Sequence, residues 1–298
     1  MLSQNKDFIN FKIHTQYSIC EGAIKIDELA QYCKANKIKA IGLADSYNLC
    51  GALEFAEKVS KVGTQPIIGT QINLFSENQM GKLTLYATSE KGYKNLTKLS
   101  SLSYLQNKDH EKPYCTLQDL VNCNEDLIIL TGNYKDFFGK LFYANKNKIY
   151  EKVLENLKKI FIDRLYIEIQ RHDETQEKNY ENFLLSTSSK LNIPIIASQE
   201  VFYLEKEMAE AHDALICIGE KQFIDDRNRF RYSNQHYLKK SDELKKLFQD
   251  IPEALENNFN FSLRFNFKPK KSKPILPSIL SSAGNSAENQ LMKNAEKG

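Results

Sequence analysis

Polar side chains that could hold a metal ion or a phosphate follow or interrupt three short apolar segments near the start of the chain. Lys12 and His14 lie two apart in FKIH, Asp45 and Ser46 follow AIGLA, and Gln71 lies within PIIGTQINL. Residues two apart on a strand point to the same side, so Lys12 and His14 are predicted to project together. The arrangement resembles a metal pocket, and the question is whether the residues present still suit a metal.

The rest of the chain supplies the elements that would bring these side chains together. Apolar segments of strand length alternate with amphipathic segments of helix length as far as about Asn266. This alternation predicts a parallel α/β sheet or barrel, in which ligand groups gather at the carboxyl ends of the strands. We predict one barrel domain over residues 1–273. Residues 274–298 are predicted to be a Pro- and Ser-rich linker and the start of a further helix.

Composition excludes several classes of protein. The 298 residues are 41% hydrophobic and carry a net charge of +3, which fits a globular protein. The chain as a whole is therefore no polyelectrolyte binder, and any contact with nucleic acid would have to come from a local patch. The N-terminus lacks the apolar core of a signal peptide, and no apolar run approaches the roughly 20 residues of a membrane span. Six cysteines include no C-x-x-C pair, which favours reduced core thiols in a cytoplasmic protein over a zinc site or disulfides.

Several sequence blocks carry a family resemblance from Phe8 to about Leu244. They occur in the order FKIHTQYSICEGAIKIDELA, AIGLADSYNLCGALEFAEK, LTLYATSEKGYKNLTKLSS, RLYIEIQRHD and AHDALICIGEKQ. Together they resemble the polymerase-and-histidinol-phosphatase (PHP) domain found at the N-terminus of bacterial DNA polymerase III α subunits. The resemblance implies a distorted (β/α)7 barrel, a cytoplasmic location and a role in chromosome replication. It also implies a longer parent chain, a DNA-directed DNA polymerase, whose polymerase domains follow this fragment.

The resemblance also implies which positions once held metal. Metal-binding members of the family hold three ions through His, Asp, Glu and Cys side chains at the strand ends. Matched position by position, this chain keeps His14, Asp45 and His172. At Glu200 it keeps a carboxylate, and it departs from that ligand set at the remaining matched positions, which are Lys12, Ser46, Gln71, Lys82 and Phe202. The expectation is a vestigial pocket with no metal and no other cofactor in this domain.

The chemistry of lysine supports that expectation. A multinuclear site needs carboxylates and neutral imidazoles, whereas a protonated ammonium adds positive charge and has no lone pair. We hypothesise that Lys12 replaces the missing metal and that its charge satisfies Asp45 and Glu200. The alternative is that Lys12 and Lys82 simply reach solvent at the mouth of the barrel.

Other charged residues have simpler interpretations. His110 and His236 lie in polar stretches and are predicted to be on the surface, while His212 belongs to a block that says little about ligation. Arg227, Arg229 and Arg231 would share one face of an extended segment, as a phosphate contact or a solvated salt-bridge face. A basic run, KPKKSKP, contributes four further candidates that could contact DNA or form a solvated linker: Lys268, Lys270, Lys271 and Lys273.

Two classes of function therefore compete. The first is a non-catalytic scaffold that braces the other polymerase domains and docks the proofreading exonuclease subunit, as the resemblance implies. DNA would then be bound only weakly or through the parent polymerase, and no membrane is involved. The second is a metal-dependent phosphoesterase, either a 3′–5′ exonuclease or a pyrophosphatase. The departures from the ligand set favour the scaffold. A free-standing hydrolase resembling histidinol phosphatase is disfavoured by the polymerase-type blocks.

Overall fold

Nine strands lie in the part of the chain that the computed structural model describes, residues 6–105, 112–274 and 286–298. In chain order they are β1 (Lys12–Ile13), β2 (Ala40–Ser46), β3 (Gln65–Ser76), β4 (Gln79–Ala87), β5 (Cys115–Thr116), β6 (Leu127–Leu130), β7 (Leu165–Gln170), β8 (Ile195–Ser198) and β9 (Glu200–Val201).

The strands close into a distorted barrel. Within the described residues, the main sheet has the order β2-β3-β4-β6-β7-β8, and β5 pairs with the outer part of β3. β9 begins two residues after β8 ends and pairs in parallel with β1, with Lys12 opposite Glu200. The circle is completed where the amide of Gly42 in β2 donates to the carbonyl of Asn10, just before β1. Counting β8 and β9 as one position gives seven strand positions.

The interior of the barrel leaves no room for a larger residue where β1 crosses β2. A Cβ added at Gly42 would lie 2.2 Å from the carbonyl oxygen of Phe11. Glycine at position 42 therefore lets β1, and with it Lys12, lie close to the sheet.

Most neighbouring strands are parallel, but β4 runs antiparallel to both β3 and β6, because a tight turn at Glu77 and Asn78 connects β3 directly to β4.

The helices cover the outside of the barrel. They are α1 (Ile26–Ala35), α2 (Ala52–Lys61), α3 (Glu90–Leu105), α4 (Leu117–Asn122), α5 (Phe137–Tyr143), α6 (Asn147–Phe161), α7 (Glu177–Leu191), α8 (Ala209–Glu220), α9 (Ser241–Leu247), α10 (Pro252–Phe261) and α11 (Ala287–Lys297). Except in α11, which has no buried residue, their apolar faces bury a large core against the strands, exemplified by Val153, Leu154 and Leu157 of α6. None of the helices in the described ranges is long and apolar enough to cross a membrane.

The C-terminal end was predicted to contain a linker and the start of a helix. α11 occupies the segment with the helical pattern, and residues 275–285 lie outside the described ranges. The division into a domain over 1–273 and a linker therefore stays a prediction.

Candidate functional site

The residues of the predicted pocket meet at the carboxyl ends of the barrel strands. β1 carries Lys12 and leads into His14, β2 ends at Ser46, and Ser46 lies opposite Gln71 in the parallel pairing of β2 with β3. β9 starts at Glu200 and faces β1. Contacts connect all nine residues of the predicted pocket into one network, in which Ser18 links Asp45 to His14 and Ser46 donates to Gln71.

Lys12 lies at the centre of this network and is fully buried. Its Nζ is 3.4 Å from each carboxylate oxygen of Glu168, 3.6 Å from Glu200 Oε1 and 3.8 Å from Asp136 Oδ2. These distances exceed the roughly 2.7–2.9 Å of a short charged hydrogen bond, so the ammonium is shared among three carboxylates. Burial alone lowers the pKa of Lys12, but the three carboxylates more than offset it and raise the pKa above its ordinary value.

Three carboxylates around one ammonium leave an excess of negative charge. Burial raises the pKa of Asp136 to about 6 against the opposing effect of Lys12. Burial also raises the pKa of Glu200, but Lys12 and His14 outweigh it and hold that pKa well below its usual range. Asp136 therefore takes up a proton before Glu200 as the pH falls.

Glu200 forms hydrogen bonds to two other residues of the predicted pocket, His14 and Gln71. Its Oε1 accepts from His14 Nε2 at 3.1 Å and from Gln71 Nε2 at 2.7 Å, and its Oε2 accepts from Asn133 Nδ2 at 3.0 Å. Each acceptor position faces an N–H group. The side chain is thus held by donors on every side, as a carboxylate in a metal site would be held by an ion.

Asp45 has a different environment from the one we hypothesised. Its carboxylate accepts from the backbone N–H of Thr15 at 2.6 Å, from Thr15 Oγ1 at 2.8 Å and from Ser18 Oγ at 2.7 Å. Burial raises the pKa of Asp45, with the Ser18 and Thr15 hydrogen bonds acting against it. The hypothesis that Lys12 satisfies Asp45 is therefore wrong, because the loop after β1 already supplies the donors; the pairing of Lys12 with Glu200 is confirmed.

A second ion pair lies beside the first. Lys82 Nζ is 2.8 and 2.9 Å from the two carboxylate oxygens of Glu21 and 3.0 Å from Ser46 Oγ. Burial lowers the pKa of Lys82, but Glu21 offsets it and the pKa is raised well above its ordinary value. The alternative that both lysines reach solvent is wrong, since Lys12 is fully buried and the Lys82 side chain is only 17% exposed.

Two histidine rings stack next to Glu200. His172 Nε2 accepts from the backbone N–H of Glu200 at 3.2 Å, and its Nδ1 lies 3.3 Å from Glu177 Oε1. The ring of His236 stacks on it at 4.0 Å and donates from Nδ1 to the Glu200 carbonyl at 3.0 Å. The prediction that His236 is on the surface is wrong, because the segment after α8 folds back over the strand ends. His110 lies outside the described residues.

Both rings are buried in their neutral form. Burial, helped by Lys239, lowers the pKa of His172 to about 3, and burial with the neighbouring His172 places the pKa of His236 well below its usual range. The unfolded chain binds a proton at each imidazole below about pH 6.5, whereas the folded chain does not. The two histidines therefore leave the stability unaffected well above pH 6.5 and destabilise the fold increasingly as the pH falls below 6.5, because protons then bind the unfolded chain only.

We expect His236→Asn to become more stable relative to the natural chain as the pH falls. Asn can keep the donor to the Glu200 carbonyl but does not titrate. Between pH 7.5 and 5.0 the difference in the free energy of unfolding should change by about 2 kcal/mol in favour of the variant. Urea unfolding of both proteins at both pH values measures this change. Asp136 titrates in both proteins, so its effect cancels when the two free energies of unfolding are subtracted. An unchanged difference would mean that His236 is protonated in the fold.

The remaining predicted residues line the edge of the network. Phe202 packs its ring on that of His14 at 4.6 Å, in the place where the resemblance implies an imidazole. His212 contacts the Glu21 carbonyl through Nε2 at 2.8 Å. Arg229 is buried in a bidentate pair with Asp213, while Arg227 and Arg231 are exposed, so the three arginines do not form one face.

Sequence reasoning missed several residues that matter here: Glu21, Asn133, Asp136 and Glu168. Glu168 offered a signal, because an acid within the apolar strand LYIEIQ needs a buried partner. The other three lie in loops, where spacing gives no indication of what they contact.

The residues present do not fit the metal cluster that the family implies. In the described ranges, no group of three or more His, Cys, Asp or Glu side chains could hold a metal ion. The Nε2 lone pair of His172 already accepts a hydrogen bond, and the Nζ atoms of Lys12 and Lys82 lie among the carboxylates. Direct hydrogen bonds and ion pairs thus satisfy these groups.

The chain is similar in sequence to known proteins along almost its entire length. A family model described as the PHP domain matches residues 10–172. The DNA polymerase III subunit alpha of Caulobacter vibrioides is 32% identical over 99% of this chain and 27% of that protein. The same subunit of Rickettsia bellii is 36% identical over 92% of this chain and 23% of that protein. The chain spans about a quarter of the length of these curated relatives.

Solved structures are more distant. A two-domain protein from Bacteroides vulgatus, containing a predicted PHP-like metal-dependent phosphoesterase, aligns with a TM-score of 0.41 and 10% identity, covering 80% of this chain and 62% of that one. An amidohydrolase from Chromobacterium violaceum aligns at 0.39 and 10% identity, covering 65% and 87%. The α/β distorted barrel of seven strand positions agrees with the predicted fold. The family model matches more than half of the residues of this chain, and the chain therefore belongs to the PHP-domain family.

Proposed function

We propose that this chain is the N-terminal PHP region of a replicative DNA polymerase III α subunit and acts there as a cytoplasmic, non-catalytic scaffold without cofactor. The observation that carries the proposal is the position of Lys12 Nζ between Glu168, Glu200 and Asp136. A fixed ammonium supplies positive charge to those carboxylates, but it activates no water and cannot take the place of a Lewis acid. The pocket then holds the strand ends together in place of hydrolysing a phosphate ester.

The test is a hydrolysis assay on the purified 298-residue chain. We expect no release of nucleotide from 3′-labelled DNA, and none of phosphate from pyrophosphate or a phosphate monoester, with Mn²⁺, Zn²⁺ or Mg²⁺ present. Metal-dependent hydrolysis that is lost in Asp45→Asn and His14→Gln but kept in the surface control Lys148→Ala would overturn the proposal in favour of a phosphoesterase.

The scaffold is further proposed to dock the proofreading exonuclease subunit and the other polymerase domains of the parent chain. Exposed apolar side chains support a protein contact near the mouth of the barrel: Ile19 is 80%, Ile218 71% and Phe223 79% exposed. Gly219 packs against Cys20, so the segments that carry Ile218 and Ile19 lie next to each other. Exposed apolar groups that cluster in this way are typical of interaction surfaces.

We expect the chain to form a 1:1 complex with the exonuclease subunit of the same organism in size-exclusion chromatography and calorimetry. Ile218→Ser combined with Phe223→Ser should weaken that complex about tenfold or more, since apolar anchors dominate such contacts. Leu263→Ser changes an equally exposed residue elsewhere and should leave the affinity unchanged. The absence of any complex, or equal losses in both variants, would contradict the docking proposal at this patch.

A further inference from the structure

The segment that carries the basic run KPKKSKP packs against the barrel. Phe265 is buried in the core, and the ring of Phe267 packs on Tyr93 of α3 at 5.4 Å. Pro269 is buried next to α2, and Lys271 Nζ lies 3.1 Å from Glu57 of that helix. The backbone of residues 265–271 is thus fixed to the barrel on one side, while the lysine side chains are exposed on the other.

A groove of about 460 Å³ separates this segment from α2. Its basic residues, with the adjoining Lys273, form what we name the basic strip: Lys61, Lys268, Lys270, Lys271 and Lys273. In the described part of the chain, only Lys271 of these five forms an ion pair. Among the described residues, the other four lysines of the strip, which are all exposed, therefore lie together without an ion pair.

Such a concentration of charge predicts a polyanionic ligand. Exposed lysines are usually spread among acids that neutralise them. Here Glu57 is the one acid that lines the groove, and Glu90 of α3 interacts electrostatically with Lys270 without forming an ion pair. Lysine is a point charge that contacts phosphate without demanding a planar partner, and neutralising phosphates releases condensed counterions. We propose that the basic strip binds the phosphate backbone of DNA without reading its sequence. This goes beyond the scaffold role and does not depend on it.

The test measures the binding of the 298-residue chain to fluorescent 20-nucleotide DNA by anisotropy between 50 and 200 mM salt. Four contacts predict a slope of log K against log salt of about −3.6 for duplex and about −2.8 for single-stranded DNA. The duplex affinity should then fall roughly 100-fold over that range. In Lys61→Ala/Lys268→Ala/Lys270→Ala the slope should shrink to about −0.9 or −0.7, with affinity at low salt at least about tenfold weaker. The two DNA forms show which source of phosphate is preferred.

The matched control is Lys148→Ala/Lys152→Ala/Lys159→Ala, which removes three exposed lysines of α6. This variant should keep the natural slope of log K against log salt. Thermal melting checks that both variants fold, which the exposure of every replaced residue predicts. The proposal is overturned if DNA fails to bind at 50 mM salt, or if both triple variants lose the same affinity. It is also overturned if polyglutamate of equal charge competes as well as DNA, because the strip would then be a site for acidic protein segments.

Discussion

Lys12→Met is expected to lower the free energy of unfolding by about 3–5 kcal/mol at pH 7.5, the typical cost of removing one partner from a buried ion pair. Methionine fills similar space, so the change removes the charge with little loss of packing. Glu168, Glu200 and Asp136 then remain buried around an apolar side chain. Urea unfolding of the 298-residue chain measures the loss.

The pH dependence of this loss identifies its cause. Burial raises the pKa values of Asp136 and Glu200 and Lys12 lowers them, so removing the ammonium raises both folded-state pKa values and the folded variant binds more protons. The deficit should therefore shrink as the pH falls from 7.5 towards 5. Lys82→Met is the matched control, with an expected cost of about 1–2 kcal/mol, because its partner Glu21 is 26% exposed and can be hydrated. A Lys12→Met deficit below about 1 kcal/mol, or one of equal size at both pH values, would contradict the role of Lys12.

The strand-end positions were predictable because a strand has a fixed period. The alternation in FKIH sets Lys12 and His14 on one side of β1, and parallel strands bring their carboxyl ends together. Those two rules bring Ser46 and Gln71 together, whereas the pairing of Lys12 with Glu200 was hypothesised from the family resemblance. The same period could not show that β4 is antiparallel, since this follows from the turn that connects it to β3.

The partners of the charged groups were not predictable in the same way. Asp45 is satisfied by the backbone N–H of Thr15, and backbone donors in a loop leave no trace in residue types. Lys12 and Glu168 are 156 residues apart, so only the closed barrel brings them together. His236 lies in the polar stretch SNQHY, yet it is buried because the segment after α8 covers the pocket. In each case a long-range contact overrides what the local sequence suggests.

Glu200→Gln is expected to lower the free energy of unfolding by about 2–4 kcal/mol at pH 7.5. The shape of the side chain is kept, but an amide nitrogen would face at least one of the donors His14 Nε2, Gln71 Nε2 and Asn133 Nδ2. The variant also withdraws one of the negative charges that stabilise Lys12 in its buried position. Both effects act in the same direction, and urea unfolding measures their sum.

The free energy of unfolding below pH 4.5 distinguishes the loss of the Glu200 charge from the loss of its hydrogen bonds. The folded-state pKa of Glu200 lies well below its ordinary value, so its contribution is complete above pH 4.5 and is lost as the pH falls further. Below pH 4.5 the natural chain should therefore lose about 1.4 kcal/mol per pH unit relative to Glu200→Gln, until the folded-state pKa is reached. Glu155→Gln, on the exposed face of α6, serves as the control and should follow the natural profile. If Glu200→Gln instead kept a constant deficit down to pH 3.5, Glu200 would be protonated in the fold, and Lys12 would balance Glu168 and Asp136 alone.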